Sequence, residues 1–311
     1  MSVRLLACGA LAIAAGCAGL SPATPPAAPA TGAAMPAGIN PRDPLTYVAD
    51  DGPPAVVYIY DFLSRVGKLT GFSDVNDLCI DHAQNVYVAD RGANKLYEYK
   101  HAGTGRIETI ADTAGSLFDC AADAVTGDLA ATNDVTNSGS RPGNVLVYAG
   151  GSGMPKQYGI ANLWWYDFAA YDASGNLFVD GLTAKGAGLL AELPRGGSAF
   201  KVLAVNAAIN PGSMQWDGHY LAIVDLGAVP NEIDRFAISG SRATKTGAMV
   251  LKDDTYVASF FISTSGTLSE LAATNGNAHD EGLYVYPKSG KAALTIGRFA
   301  NPLGTVISNA P

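Results

Sequence analysis

The sequence predicts an all-β domain, a six-bladed β-propeller of four-stranded blades, on three observations. Short stretches rich in Val, Ile, Tyr, Phe and Leu follow one another between Gly, Asn, Asp and Pro, and no long segment has the 3.6-residue period of a helix. A unit of about 42 to 48 residues recurs, near the length of a four-stranded blade. Finally, the two ends of the domain are complementary, each lacking the strands that the other supplies.

The repeat is anchored by a five-residue pattern in the first strand of each unit. Its copies are Asp77-Leu-Cys-Ile-Asp81, Asp119-Cys-Ala-Ala-Asp123, Asp167-Phe-Ala-Ala-Tyr171, Ser213-Met-Gln-Trp-Asp217, Ser259-Phe-Phe-Ile-Ser263 and Gly304-Thr-Val-Ile-Ser308. A turn follows each of the first five, with Asp and Gly suited to tight reversal, as in Asp172-Ala-Ser-Gly175. Second strands then end in an acid or amide: Asn85 to Asp90, Asp128 to Asp134, Asn176 to Asp180, His219 to Asp225 and Thr267 to Asn275. A third strand carries an aromatic or Leu near its end, at Tyr99, Tyr148, Leu193, Phe236 and Tyr286, and a weaker fourth strand closes the unit. The sixth anchor has nothing after it, whereas Leu45 to Asp50, Val56 to Tyr60 and Lys68 to Phe72 match second, third and fourth strands. The C-terminal strand is therefore expected to complete the N-terminal blade and remove the open sheet edges.

Before the domain, Arg4 precedes an apolar run from Leu5 to Ala15, too short for a span of roughly 20 residues and suited to a signal peptide. The run ends Ala14-Ala15-Gly16-Cys17, which resembles a bacterial lipobox. Residues 1–16 then form the signal and Cys17 carries the lipid; an ordinary secretory signal cut nearby is the alternative. Residues 18–44 are dominated by Ala, Pro, Gly, Ser and Thr and are expected to form a disordered tether, leaving 45–311 as the propeller. The expected location is outside the cytoplasm, either anchored to the outer membrane or free in the periplasm or medium. Removal of Arg4 leaves 19 basic against 28 acidic residues, which disfavours nucleic acid and anionic membrane surfaces. A monomer is expected, touching membrane only through its lipid.

Phrases such as Asn85-Val-Tyr-Val-Ala-Asp90 and Asp172-Ala-Ser-Gly-Asn-Leu-Phe-Val-Asp180 make the whole mature domain similar to the NHL-repeat and SMP-30/gluconolactonase-like propellers. The group holds metal-dependent lactonases, strictosidine-synthase-like enzymes and non-enzymatic interaction modules, so the resemblance implies the fold rather than one activity. Its lactonases place Glu, Asn and Asp metal ligands one residue before the anchor. Here that position holds Asn76, Phe118, Tyr166, Gly212, Ala258 and Leu303, a single candidate donor.

Three successive anchors begin with Asp77, Asp119 and Asp167, placing carboxylates near the mouth of the central channel. They are expected either to hold a cation, with Asn76 beside them and Ca2+ the natural choice, or to accept backbone N–H groups of their own loops. Trp164, Trp165 and Tyr166 precede Asp167 and could stack on a ligand or fill an interblade gap. The acids Asp50, Asp90, Asp134, Asp180 and Asp225, with Asn275, form a second ring read as turn caps. No nucleophile or zinc motif occurs, and His82, His101, His219 and His279 fall in loops. Cys79 and Cys120 sit on adjacent innermost strands. Sheets pack about 10 Å apart and a disulfide needs Cα atoms within roughly 7 Å, so two buried thiols are expected unless the strands converge near the axis. The functional expectation is a non-enzymatic binding or scaffolding module, receiving a small polar ligand or a protein on its acidic upper face and the loop Asn133 to Asn144. A metal-dependent lactonase or esterase is the alternative.

Overall fold

The computed structural model describes residues 39–263 and 269–311. The signal segment, Cys17 and most of the tether lie outside them, as do Thr267 and Leu268.

Among the described residues six sheets follow one another around a ring, five of four antiparallel strands and one with a fifth strand added to its four. Blade 1 joins the C-terminal Pro302–Ser308 to Leu45–Asp50, Val56–Asp61 and Ser64–Leu69. Blades 2, 3, 4 and 6 begin with the innermost strands Val75–Ile80, Gly115–Ala122, Leu163–Tyr171 and Val257–Ser263. Blade 5 begins with the short strand Met214–Trp216 and gains a fifth, outermost strand, Ala204–Val205, running parallel to Arg242–Val250. Closure follows the expected register, Tyr47 opposite Val306 and Ala49 opposite Gly304.

The strand sequences follow from burial on both faces. In blade 2, Val86 and Val88 join the core shared with blade 1, while Tyr87 and Ala89 face the core shared with blade 3. Such a strand reads as an unbroken apolar run rather than an alternation. Six separate cores result, one per interblade gap. The outermost strand Arg106–Ala111 is mostly exposed and carries Arg106 and Glu108, charges that discourage pairing by another chain. Ile39 packs into the first gap, so the folded domain takes in residues that composition alone assigns to the tether.

The expectation of two free thiols is overturned. Cys79 and Cys120 form a disulfide with Cα atoms 5.8 Å apart. Innermost strands converge on the axis, bringing neighbouring blades closer there than the general sheet spacing.

Candidate functional site

Bulges decide where the anchor side chains point. Pairing of the first two strands slips between Val75 and Asp77, Leu117 and Asp119, Tyr166 and Ala169, and Val257 and Phe260. Side chains on the second strand satisfy the freed N–H groups: Thr132 Oγ1 accepts from Asp119 at 3.1 Å, Asp180 Oδ1 from Phe168 at 3.1 Å and Thr274 Oγ1 from Ser259 at 2.9 Å. Asp81 and Asp172 likewise accept the N–H groups of Asn85 and Asn176 in equivalent turns. Phe168, rather than Asp167, is thus the counterpart of Asp77 and Asp119, and the expected trio of carboxylates is broken.

Asp77 and Asp119 do come together, 3% and 4% exposed. Asp77 Oδ1 accepts the Leu78 N–H at 2.7 Å and the Ser259 hydroxyl at 3.1 Å. Asp119 accepts the N–H groups of Cys120 at 2.6 Å and Ala169 at 2.7 Å, and the two carboxyls hydrogen-bond to each other. A chain of hydrogen bonds therefore crosses the channel from blade 6 to blade 4. It passes over Gly304 in blade 1, where an added Cβ would lie 2.7 Å from Asp77 Oδ1. Burial pushes Asp77 up to about 7 and, with the charge of Asp77, holds Asp119 well above the carboxylate range. Both carboxyls therefore hold a proton more tightly than free carboxyls do.

One residue earlier, Asp167 lies on the upper face, the face onto which the innermost strands open at their N-terminal ends. Burial and the Asp134 carboxylate raise it to about 6, against the pull of Arg141. Arg141 stacks over Trp165 at 4.1 Å and donates to the Asp134 carbonyl at 3.1 Å, folding the loop after Asp134 onto the tryptophan. Arg91 of blade 2 reaches the Asp134 carboxylate at 3.1 Å, leaving Asp134 Oδ1 buried without a partner. Trp164 is partly exposed beside them, whereas Tyr166 is core, its hydroxyl accepting the Ile160 N–H at 2.6 Å. Of the three aromatics expected at a ligand, Tyr166 is the one buried in the interblade core.

Three of the four residues read as metal donors take part in hydrogen bonds of the ring itself. Asn76 turns its amide nitrogen to the Phe118 carbonyl at 2.5 Å, and Asp77 and Asp119 spend their oxygens on the chain of hydrogen bonds. Among the described residues no group of three or more His, Cys, Asp or Glu side chains is arranged to hold an ion.

The second ring is structural, with two members displaced. Asp50 accepts the N–H groups of Ala300 and Asn301, and Asp90 those of Ser73 and Asp74, each fastening the crossover that enters the blade. Asn275 accepts from Asn277 and Ala278, and Asp225 from Gly227. In blade 3 the equivalent is Asn133, which binds Asp112 on the crossover, so Asp134 lies one residue past the ring. In blade 4, Asp180 sits one residue short of it, holding the Phe168 N–H instead.

Sequence reasoning missed the channel's shape. A cavity of about 670 Å3 runs from Asp77, Asp119 and Ser259 to Asp81, His82, Asp172 and Asp217. It reaches the face opposite the expected one, where first strands turn into second strands. Also missed were Arg91, Arg141 and Ser259, which lie outside the anchor comparison or carry no signal in it.

No family model matches the chain, and no curated protein matches it. Its backbone is similar to known rings. A chain from the crystal structure of a nidogen/laminin complex superposes with a TM-score of 0.65 at 14% identity, over 86% of this chain and 99% of that one. A chain from the mitotic checkpoint complex gives 0.54 at 16% identity, over 75% and 68%. The fold is a six-bladed β-propeller. At these identities the likeness extends to the propeller fold alone.

Proposed function

We propose that this propeller is an extracytoplasmic binding module without catalysis, tethered through a lipid on Cys17, whose upper face between blades 2 and 4 receives a protein partner. The observation that carries the reading is the stacked Arg141–Trp165 pair, flanked by Arg91, Asp134 and Asp167. Arginine and tryptophan are the side chains most enriched where binding energy concentrates, and stacking holds them in place before a partner arrives. The carboxyls at the channel mouth are committed to the ring's own hydrogen bonds, which supports a scaffold over a general base. Two of the solved chains it resembles come from complexes. Membership of the NHL-repeat or SMP-30-like group belongs to this proposal and rests on the phrases in blades 2 and 4.

The lactonase reading gains one donor from the corrected register, because Asp167 moves into the position one residue before the anchor, in line with Asn76. Two donors remain far from the six to eight oxygens that calcium takes.

A photo-crosslinking residue in place of Trp164, in the native cell, is expected to trap one protein as a discrete adduct, and Arg141→Ala with Trp165→Ala to abolish it. Absence of an adduct, together with metal-dependent lactone hydrolysis that Asp167→Asn removes, overturns the proposal. Mass spectrometry of membrane-extracted protein is expected to find acylated Cys17 as the first residue; a soluble form beginning elsewhere refutes the tether.

A further inference from the structure

The channel cavity lies on the other side of the ring from that patch and has its own chemistry. Its volume of about 670 Å3 falls within the roughly 300 to 1,000 Å3 of small-molecule sites. Each of the six blades gives its wall an apolar side chain, Leu78, Ala121, Ala170, Met214, Phe261 and Val306, among polar ones. Among the described residues lining it are five aspartates and neither Lys nor Arg. An anion would meet one sign of charge along the whole depth.

The carboxylates fall into two sets. Asp81, Asp172 and Asp217 ring the open end, each holding backbone N–H groups of its own turn, and Asp217 is also paired with Arg235 at 3.1 Å. Asp77 and Asp119 form the closed end, out of water, in contact with hydroxyl and amide donors and with each other but with no cationic side chain. An attraction between opposite charges is strongest where water is excluded, and here the negative end lacks its counterion. A metal ion would fill little of the space and find few free lone pairs. An organic cation fills both parts of it.

We infer that the channel binds a primary alkylamine or a similar amphipathic organic cation, its hydrocarbon body against the apolar walls and its ammonium on the Asp77–Asp119 pair. Size selection comes from the alanines of blades 3 and 4, which leave the channel its width. Ala122, partly buried on the wall, marks where a large side chain would block it.

The test is calorimetric titration of the mature protein with hexylammonium, 1-hexanol and hexanoate, which share a body and differ in head group. Hexylammonium is expected to bind at least tenfold more tightly than 1-hexanol, and hexanoate to give no heat. Asp119→Asn and, independently, Asp77→Asn should each erase the tenfold preference. Ala122→Trp should abolish binding of amine and alcohol alike, while Asp81→Asn leaves the preference intact. Equal affinity for amine and alcohol, no amine binding, or a preference that survives both carboxamide variants overturns the assignment. Loss of the preference in Asp81→Asn would move the charge site to the rim and overturn it equally. Neither Trp165→Ala nor Arg141→Ala should alter these titrations, which keeps this site separate from the upper face.

Discussion

A carboxyl buried out of water favours its protonated form, against the pull of the N–H and O–H groups that donate to it, and that gives the propeller an unusual pH response. Asp77 is held at about 7 and Glu281, buried with the Thr305 hydroxyl 2.7 Å away, at about 8. Asp167 and Asp254 are raised to about 6, again chiefly by burial. Each of these binds protons more tightly folded than unfolded, so its contribution is fully present below the unfolded carboxylate range and is lost as pH rises through the folded value. Asp217, lowered by its hydrogen bonds and Arg235, has the opposite sign, but its effect is confined to acid below the normal carboxylate range. Melting followed by circular dichroism should therefore show a higher midpoint at pH 5 than at pH 8. Tenfold in proton affinity is worth about 1.4 kcal/mol, so Asp77 alone should cost on the order of 3 kcal/mol over that range. Asp77→Asn should make the profile shallower, leaving the part due to Glu281, Asp167 and Asp254; a midpoint that climbs from pH 5 to pH 8 would refute the raised carboxyls.

At the scale of the element, the repeat was legible because each strand must fill two interblade gaps, and apolar runs bounded by Asp and Gly turns record that demand. The bulge was not. A slip of one residue in blade 4 leaves the composition of Leu163–Tyr171 intact while exchanging Phe168 for Asp167 at the inward position. The same ambiguity displaced Asp134 and Asp180 from the ring of caps, since adjacent polar residues in Asn133-Asp134 offer no pattern that says which one faces the crossover. Arg141 was illegible for another reason: a long loop folds back by contacts with Trp165 that have no fixed spacing. The disulfide depends on strand convergence, which no spacing in the chain encodes. Joining positions 41 apart, it should contribute about 2 to 4 kcal/mol by restricting the unfolded chain. Paired replacement of Cys79 and Cys120 by Ser is expected to lower the melting midpoint by several degrees without altering the folded-state spectrum. An unchanged midpoint would mean that the bond is not formed in the protein as purified.

For the whole molecule, closure of the ring rests on a strand that touches three blades at once. Pro302–Ser308 pairs with Leu45–Asp50 in its own sheet, and Val306 and Ile307 are buried in the gaps beside it while Leu303 is only partly covered. Ser308 contacts His101 Nδ1 and donates to the Gln84 carbonyl, both at 2.8 Å, tying the strand to blade 2. Thr305 donates to Glu281 in blade 6. Just before the strand, Asp50 grips the N–H groups of Ala300 and Asn301. Removing residues after Ala300 would expose the edge of blade 1, two interblade gaps, and a buried Glu281 deprived of the Thr305 hydroxyl. Burial of Val306 and Ile307 is worth roughly 1.5 to 3 kcal/mol each. Orphaning buried polar groups costs about 1 to 3 kcal/mol apiece. Together these approach the roughly 5 to 15 kcal/mol that hold a typical domain. A chain ending at Ala300 is therefore expected to lose its cooperative melt and to aggregate through the open edge. Adding a synthetic peptide of residues 301–311 should restore a concentration-dependent transition, because the missing strand can bind its vacant edge from solution. A truncated chain that melts like the full one without the peptide would show that the ring does not depend on this strand for closure.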